Sequence, residues 1–176
     1  MKRTVLETEP DAVFANAVPH ESGHVIVAYR YGIPVREISI QVRSATDGNV
    51  VSMIQFPRPD EFANLAEQER NAYCAMLAGG IAGERFAKGA VDPSNSGATT
   101  LDNVRLKDFT DRPMADFEPE AAKVIDANRR QFRQLCSKLK ARYPEAKNKL
   151  LQSGTGEVIL VAKEELDDLL RAVQEK

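Results

Sequence analysis

Hydrophobic positions recur along this chain with two different periods, and the change of period marks the elements. Between Ala12 and Tyr31, Val13, Ala17, Val25 and Ala28 allow a helix. Pro19 falls inside this stretch. Proline suits a first helical turn, so the helix is predicted to begin near Val18 and run to Tyr31, where Gly32 and Pro34 end it. From Val35 to Val42 the pattern alternates and is rich in β-branched residues. It alternates again from Val50 to Phe56, after the turn-forming Thr46-Asp47-Gly48, so the two runs predict a hairpin. Helical spacing returns from Glu61 to Lys88 as one long helix, and Asp92 to Thr100 reads as a Pro/Ser/Gly/Thr loop. A short helix is expected from Leu101 to Phe109. A long amphipathic helix follows from Glu118 to Tyr143, with Val124, Ile125, Phe132, Leu135 and Leu139 inward. Pro144 should restart a helix to Leu151. After a turn at Ser153–Gly156, Val158–Val161 is either a strand or a buried linker, and Lys163–Glu175 closes the chain as a helix. The pattern predicts an α+β fold, mainly helical with a small β-hairpin or sheet.

Composition narrows the class without naming a chemistry. The 176 residues are 43% hydrophobic and 28% charged, as expected of one globular domain over 1–176. A motif-bearing core at 18–106 is followed by a C-terminal helical part at 116–176. A net charge of −2 argues against a strong preference for nucleic acid or membrane. Arg129, Arg130, Arg133, Lys138, Lys140 and Arg142 on the long helix suit a solvated face better than a nucleic-acid surface. Two cysteines, Cys74 and Cys136, are too few for a disulfide framework, so reduced thiols are expected. Met1–Pro10 lacks the apolar run of a signal peptide, and the apolar stretches around Val25–Ala28 and Ala75–Ala82 are of core length. A cytoplasmic protein without a membrane span is the expectation.

The candidate chemistry lies in the only two histidines, in His20-Glu21-Ser22-Gly23-His24. Residues four apart share a helix face, so both imidazoles can hold one Zn²⁺ while Glu21 takes a proton from a metal-bound water. Shuffling the composition would produce this arrangement on the order of one time in a thousand. A catalytic zinc usually takes three protein ligands. No third histidine exists, and Arg30 stands where an extended histidine motif would place one. Two carboxylates are well placed instead. Glu84 follows Gly79-Gly80-Ile81-Ala82-Gly83, whose glycines permit close helix packing. Asp102 follows Ser96-Gly97-Ala98-Thr99-Thr100, where it could equally be a helix cap. The glycine cluster lacks a following lysine and a strand-turn-helix setting, which disfavours phosphate binding.

The order His20–His24, then Leu77-Ala-Gly-Gly-Ile-Ala-Gly-Glu84, then Ser96-Gly-Ala-Thr-Thr-Leu-Asp102 resembles the zinc peptidase domain of FtsH, the ATP-dependent membrane protease. The resemblance spans Val18 to Leu106, about half the chain. It implies a zincin-like domain with His20, His24 and Asp102 as zinc ligands, Glu21 as general base, and Glu84 beside the ligands, orienting one or packing next to it. Two departures stand out. Asp102 lies five residues after Gly97, where the family's aspartate lies four after its glycine, and Gly83 replaces the family's second alanine.

The resemblance implies a zinc-dependent metalloendopeptidase that hydrolyses peptide bonds by Glu-assisted attack of zinc-bound water. The chain contains no Gly-x-x-x-x-Gly-Lys-Ser/Thr loop. Its substrates would therefore be peptides or unfolded segments, or proteins delivered by an ATPase or adaptor partner. The family's hexameric rings suggest a homo-oligomer. The alternative reading is a catalytically inactive zinc-binding module that acts in protein–protein interaction. The Val35–Phe56 hairpin could offer an edge strand to an extended substrate, or simply cover the core.

Overall fold

Among the described residues, three long helices and a three-stranded sheet frame the molecule. The structure, a computed structural model, describes residues 10–44, 47–58, 61–89, 96–153 and 156–174. Helix α1 (Pro10–Arg30) leads into strands β1 (Val35–Ser44) and β2 (Asp47–Ile54). Helices α2 (Glu67–Lys88), α3 (Ser96–Leu106), α4 (Glu118–Ala127) and α5 (Arg129–Ser153) follow, then strand β3 (Gly156–Ala162) and helix α6 (Lys163–Gln174). Short 3₁₀ turns occur at Phe62–Asn64 and Met114–Asp116. The sheet is antiparallel in the order β2-β1-β3, so the fold is mainly helical α+β.

The apolar positions define one shared core. Ile26 of α1, Met76 and Leu77 of α2, Ile125 of α4, Leu135 and Leu139 of α5, and Leu166 and Leu170 of α6 are all buried with Ile38 and Leu160 of the sheet. Val124, Ile125, Phe132, Leu135 and Leu139 all point inward as their spacing predicts. Each fully buried aliphatic side chain contributes about 1.5–3 kcal/mol. That gain explains why several local breakers fail to break anything.

Helix α1 begins at Pro10, earlier than Val18, and runs straight through Pro19. An interior proline costs about 3 kcal/mol. Here Val18, Pro19, Val25, Ile26 and Val27 are buried, and α1 packs along α2, which offsets that cost. Pro144 likewise lies inside α5 and restarts nothing, because Tyr143, Ala146 and Leu150 continue the buried stripe across it. The true break is at Asn128, which separates α4 from α5. Its side-chain Nδ2 donates to the Val124 carbonyl at 2.8 Å, a bond that competes with the helical ladder.

Other boundaries also move. The segment from Glu61 is a 3₁₀ turn followed by extended Leu65 and Ala66, and α2 starts only at Glu67. The Glu69 carboxylate accepts the Ala66 N–H at 2.9 Å and fixes that start. Ser96–Thr100 is the first part of α3 and not a loop, and the helix ends at Leu106 before a turn to Phe109. The Asp92–Asn95 part of the expected loop lies outside the described residues, as do Ala45 and Thr46 of the hairpin turn. Asp47 and Gly48 belong to β2 and pair with Ser44 and Val42. The stretch Val158–Val161 is a strand: β3 pairs with β1 through Ser39↔Ile159 and Ile40↔Val158. The C-terminal part thus completes the sheet begun by the motif-bearing part.

Candidate metal centre

The centre depends on how closely α1 approaches α2, and glycines permit that approach. A β-carbon on Gly23 would lie 2.0 Å from the Gly79 carbonyl oxygen, and one on Gly83 would lie 2.3 Å from the Pro19 carbonyl oxygen. Any side chain there would force the helices apart. With the backbones in contact, the His20–His24 face of α1 lies against the glycine segment of α2. A β-carbon on Gly80 would meet both imidazoles, at 2.5 Å from His20 Cε1 and 2.7 Å from His24 Nε2.

Each imidazole is then oriented from α2. Nδ1 of His24 donates to the Met76 carbonyl at 2.8 Å. A carbonyl only accepts, so the neutral ring carries its proton on Nδ1 and presents a lone pair at Nε2. Nδ1 of His20 donates to Glu84 Oε1 at 2.7 Å, which gives the same tautomer. Glu84 is fully buried and lies on the far side of His20 from the shared point. It is neither a solvated charge nor a third donor to that point. It orients the histidine.

The third donor comes from α3. Asp102 is the seventh residue of that helix, so it does not cap it, and its side chain is buried. Its Oδ2 lies 3.1 Å from His20 Nε2 and 3.3 Å from His24 Nε2, and the two Nε2 atoms are 3.1 Å apart. Three electron-pair donors therefore converge on one point. Tetrahedral ligands at about 2.1 Å from a zinc lie about 3.4 Å from one another, close to this triangle. The buried cluster of His20, His24 and Asp102 can hold a metal ion.

Electrostatics point the same way. For His20 the largest influence is burial, which lowers its pKa. The hydrogen bonds to Asp102 and Glu84 and the charge of Glu21 outweigh it and raise the pKa to about 10. Burial also opposes protonation of His24, and the Asp102 carboxylate overcomes it, so that pKa is raised too. Burial alone would raise the pKa of Asp102, but the adjacent imidazoles hold it well below the usual carboxylate range. The cluster demands positive charge, which a metal or protons can supply.

Glu21 leaves the shared point and turns towards β2. Its Oε2 accepts two hydrogen bonds from Ser52, at 2.8 Å from the backbone N–H and 2.5 Å from the hydroxyl. The amide of Ser52 therefore faces the centre and not β1. The centre opens into a cleft of about 410 Å³, with Ser52, Ile54 and Phe56 of the β2 side opposite Leu101 and Arg105 of α3. The roles of Ser52 and the Met76 carbonyl had no sequence signal. One lies in an ordinary alternating strand, and the other is a backbone group. Elsewhere on α5, Arg129 pairs with Asp126, and Lys138 and Arg142 both pair with Glu165. Among the described residues no helix is long and apolar enough to cross a membrane. Compared with known proteins, the chain matches no family model and no curated protein.

Proposed function

We propose that this chain is a zinc-dependent endopeptidase similar to the protease domain of FtsH. The observation that carries the reading is the convergence of His20 Nε2, His24 Nε2 and Asp102 Oδ2, with the Glu21 carboxylate held in the same cleft. Two imidazoles and one carboxylate suit zinc better than calcium or magnesium, which prefer all-oxygen sites. Zinc bound there would act as a Lewis acid that polarises a peptide carbonyl and makes a water acidic enough to ionise near pH ~7.

The chain's own groups do the rest. Glu84 and the Met76 carbonyl hold both imidazoles in the ligating tautomer. Ser52 occupies Oε2 of Glu21 with two donors, which leaves Oε1 to take the proton from the attacking water. As the water oxygen bonds to the peptide carbon and the C–N bond breaks, Glu21 returns that proton to the departing amine. The β2 edge beside the cleft suits an extended chain, so the substrates are peptides, unfolded segments, or proteins delivered by an ATPase or adaptor.

The test pairs cleavage with metal content. Zinc-loaded wild type should cleave unfolded casein, and Glu21→Gln should keep its zinc and lose cleavage. Asp102→Ala should lose zinc, whereas Glu84→Ala should only weaken it. If wild type and Glu21→Gln are equally inert with zinc bound, the peptidase reading fails and a zinc-binding interaction module takes its place.

A further inference from the structure

We propose that Arg105 makes the cleft selective for peptides carrying a carboxylate within one or two residues of the bond to be cut. The inference rests on the peptidase reading and deepens it. Arg105 lies three residues after Asp102, on the same face of α3, and lines the cleft with it. Its guanidinium lies 4.6 Å from the centre of the Phe56 ring, so the aromatic face opposite α3 holds the cation over the cleft.

No carboxylate among the described residues pairs with it. The two acids in the cleft are committed elsewhere, Glu21 to Ser52 and Asp102 to the histidines. The remaining walls mix apolar side chains, among them Met53, Ile54 and Leu101, with the polar Gln41 and Ser52, and Met53, Leu101 and Arg105 are exposed. A guanidinium with no carboxylate partner is available to form a two-pronged, charge-assisted hydrogen bond with an incoming carboxylate.

Spacing sets the register. Side chains at i and i+3 on a helix are about 5–6 Å apart at Cβ, and an extended peptide advances about 3.3 Å per residue. The recognised carboxylate is therefore one or two residues from the peptide bond over the metal cluster. Either an acidic side chain or a free C-terminus presents the same group at that distance.

Binding separates this idea from catalysis. Fluorescence anisotropy with zinc-loaded Glu21→Gln should compare labelled hexapeptides that differ in one group: Glu against Gln, and free C-terminus against C-terminal amide. The carboxylate form should bind about tenfold tighter, and the arm showing the preference names the source of the carboxylate. Arg105→Ala in that background should abolish the difference, Arg105→Lys should keep part of it, and Arg105→Glu should invert it. Zinc content and circular dichroism check that each variant is folded and loaded. Equal binding of charged and neutral peptides, an unchanged preference in Arg105→Ala, or no binding at all would overturn the inference. Casein cleavage by wild type tests the peptidase reading separately, so either idea can fail alone.

Discussion

Gly80 offers the sharpest test of how the centre is built. A β-carbon there would lie 2.5 Å from Cε1 and 2.6 Å from Nε2 of His20, and 2.7 Å from Nε2 of His24. Carbon atoms make contact at about 3.5 Å, so the alanine methyl needs about 1 Å of extra room from both rings at once. The rings cannot yield freely, because their Nδ1 atoms are bonded to Glu84 at 2.7 Å and to the Met76 carbonyl at 2.8 Å. Either those bonds stretch or α1 leaves α2. Overpacking of this kind costs about 1–3 kcal/mol, which lowers the melting temperature of a chain this size by about 2–4 °C per kcal/mol. Disturbing ligand orientation costs a further 10–100-fold in metal affinity, as loss of an orienting partner does. Zinc affinity of Gly80→Ala is read by competition with a chromophoric chelator, and stability by melting the metal-free protein. Gly89→Ala is the control. That residue caps α2 at φ +77° with nothing within 4 Å of the added carbon, so it should cost about 1 kcal/mol and leave zinc affinity unchanged. Wild-type zinc affinity in Gly80→Ala would refute the assignment of this glycine to the ligand face.

The remaining predictions follow from single contacts. Glu84→Gln keeps an acceptor for His20 but loses the charge, and zinc binding should weaken about tenfold; Glu84→Ala should weaken it further, measured by the same competition. Because the His20 pKa is raised to about 10, protons compete for Nε2 well above the ordinary value of 6.5. Apparent zinc affinity should keep climbing from pH 6.5 to 9, and a plateau by pH 7 would refute this. In the metal-free protein the same raised pKa stabilises fully below pH 6.5 and is lost as pH rises towards 10, so the urea midpoint should fall over that range. The Arg142 guanidinium pulls the Glu165 carboxyl down from 4.5 to about 2. Its stabilising effect is present above pH 4.5 and lost as pH falls through 2. The difference in melting temperature between wild type and Glu165→Gln should therefore shrink on acidification, and a constant difference would sink the argument.

The legible parts of this chain are those where one local pattern decides the outcome. Alternation found the hairpin, and the 3.6-residue spacing found every inward residue named on α4 and α5. The histidine pair was readable because a helix turns i and i+4 to one side. The illegible parts are decided by distant packing. Pro19 and Pro144 look like boundaries, but buried neighbours carry the helices across them. Asn128 looks innocuous, yet its amide competes for a backbone carbonyl and splits a helix. Val158–Val161 could be recognised as a strand only once β1 lay beside it. Residue spacing alone left Glu84 and Asp102 as two well-placed carboxylates, and only the motif order implied Asp102 as the ligand, because which nitrogen of His20 each one faces is a three-dimensional fact.

The pairing of β1 with β3 has a consequence for synthesis on the ribosome. Ser39 pairs with Ile159, about 120 residues later. Chain elongation at about 5–20 residues per second delays that partner by on the order of ten seconds. During that interval α1, the β1–β2 hairpin, α2 and α3 have already emerged, bringing His20, His24 and Asp102 with them. The β1 edge that β3 will cover has no strand against it meanwhile, and such an edge can template pairing with another chain. Yield from expression should therefore depend on how fast translation runs between Ser44 and Gly156, a vulnerability that the finished sheet conceals.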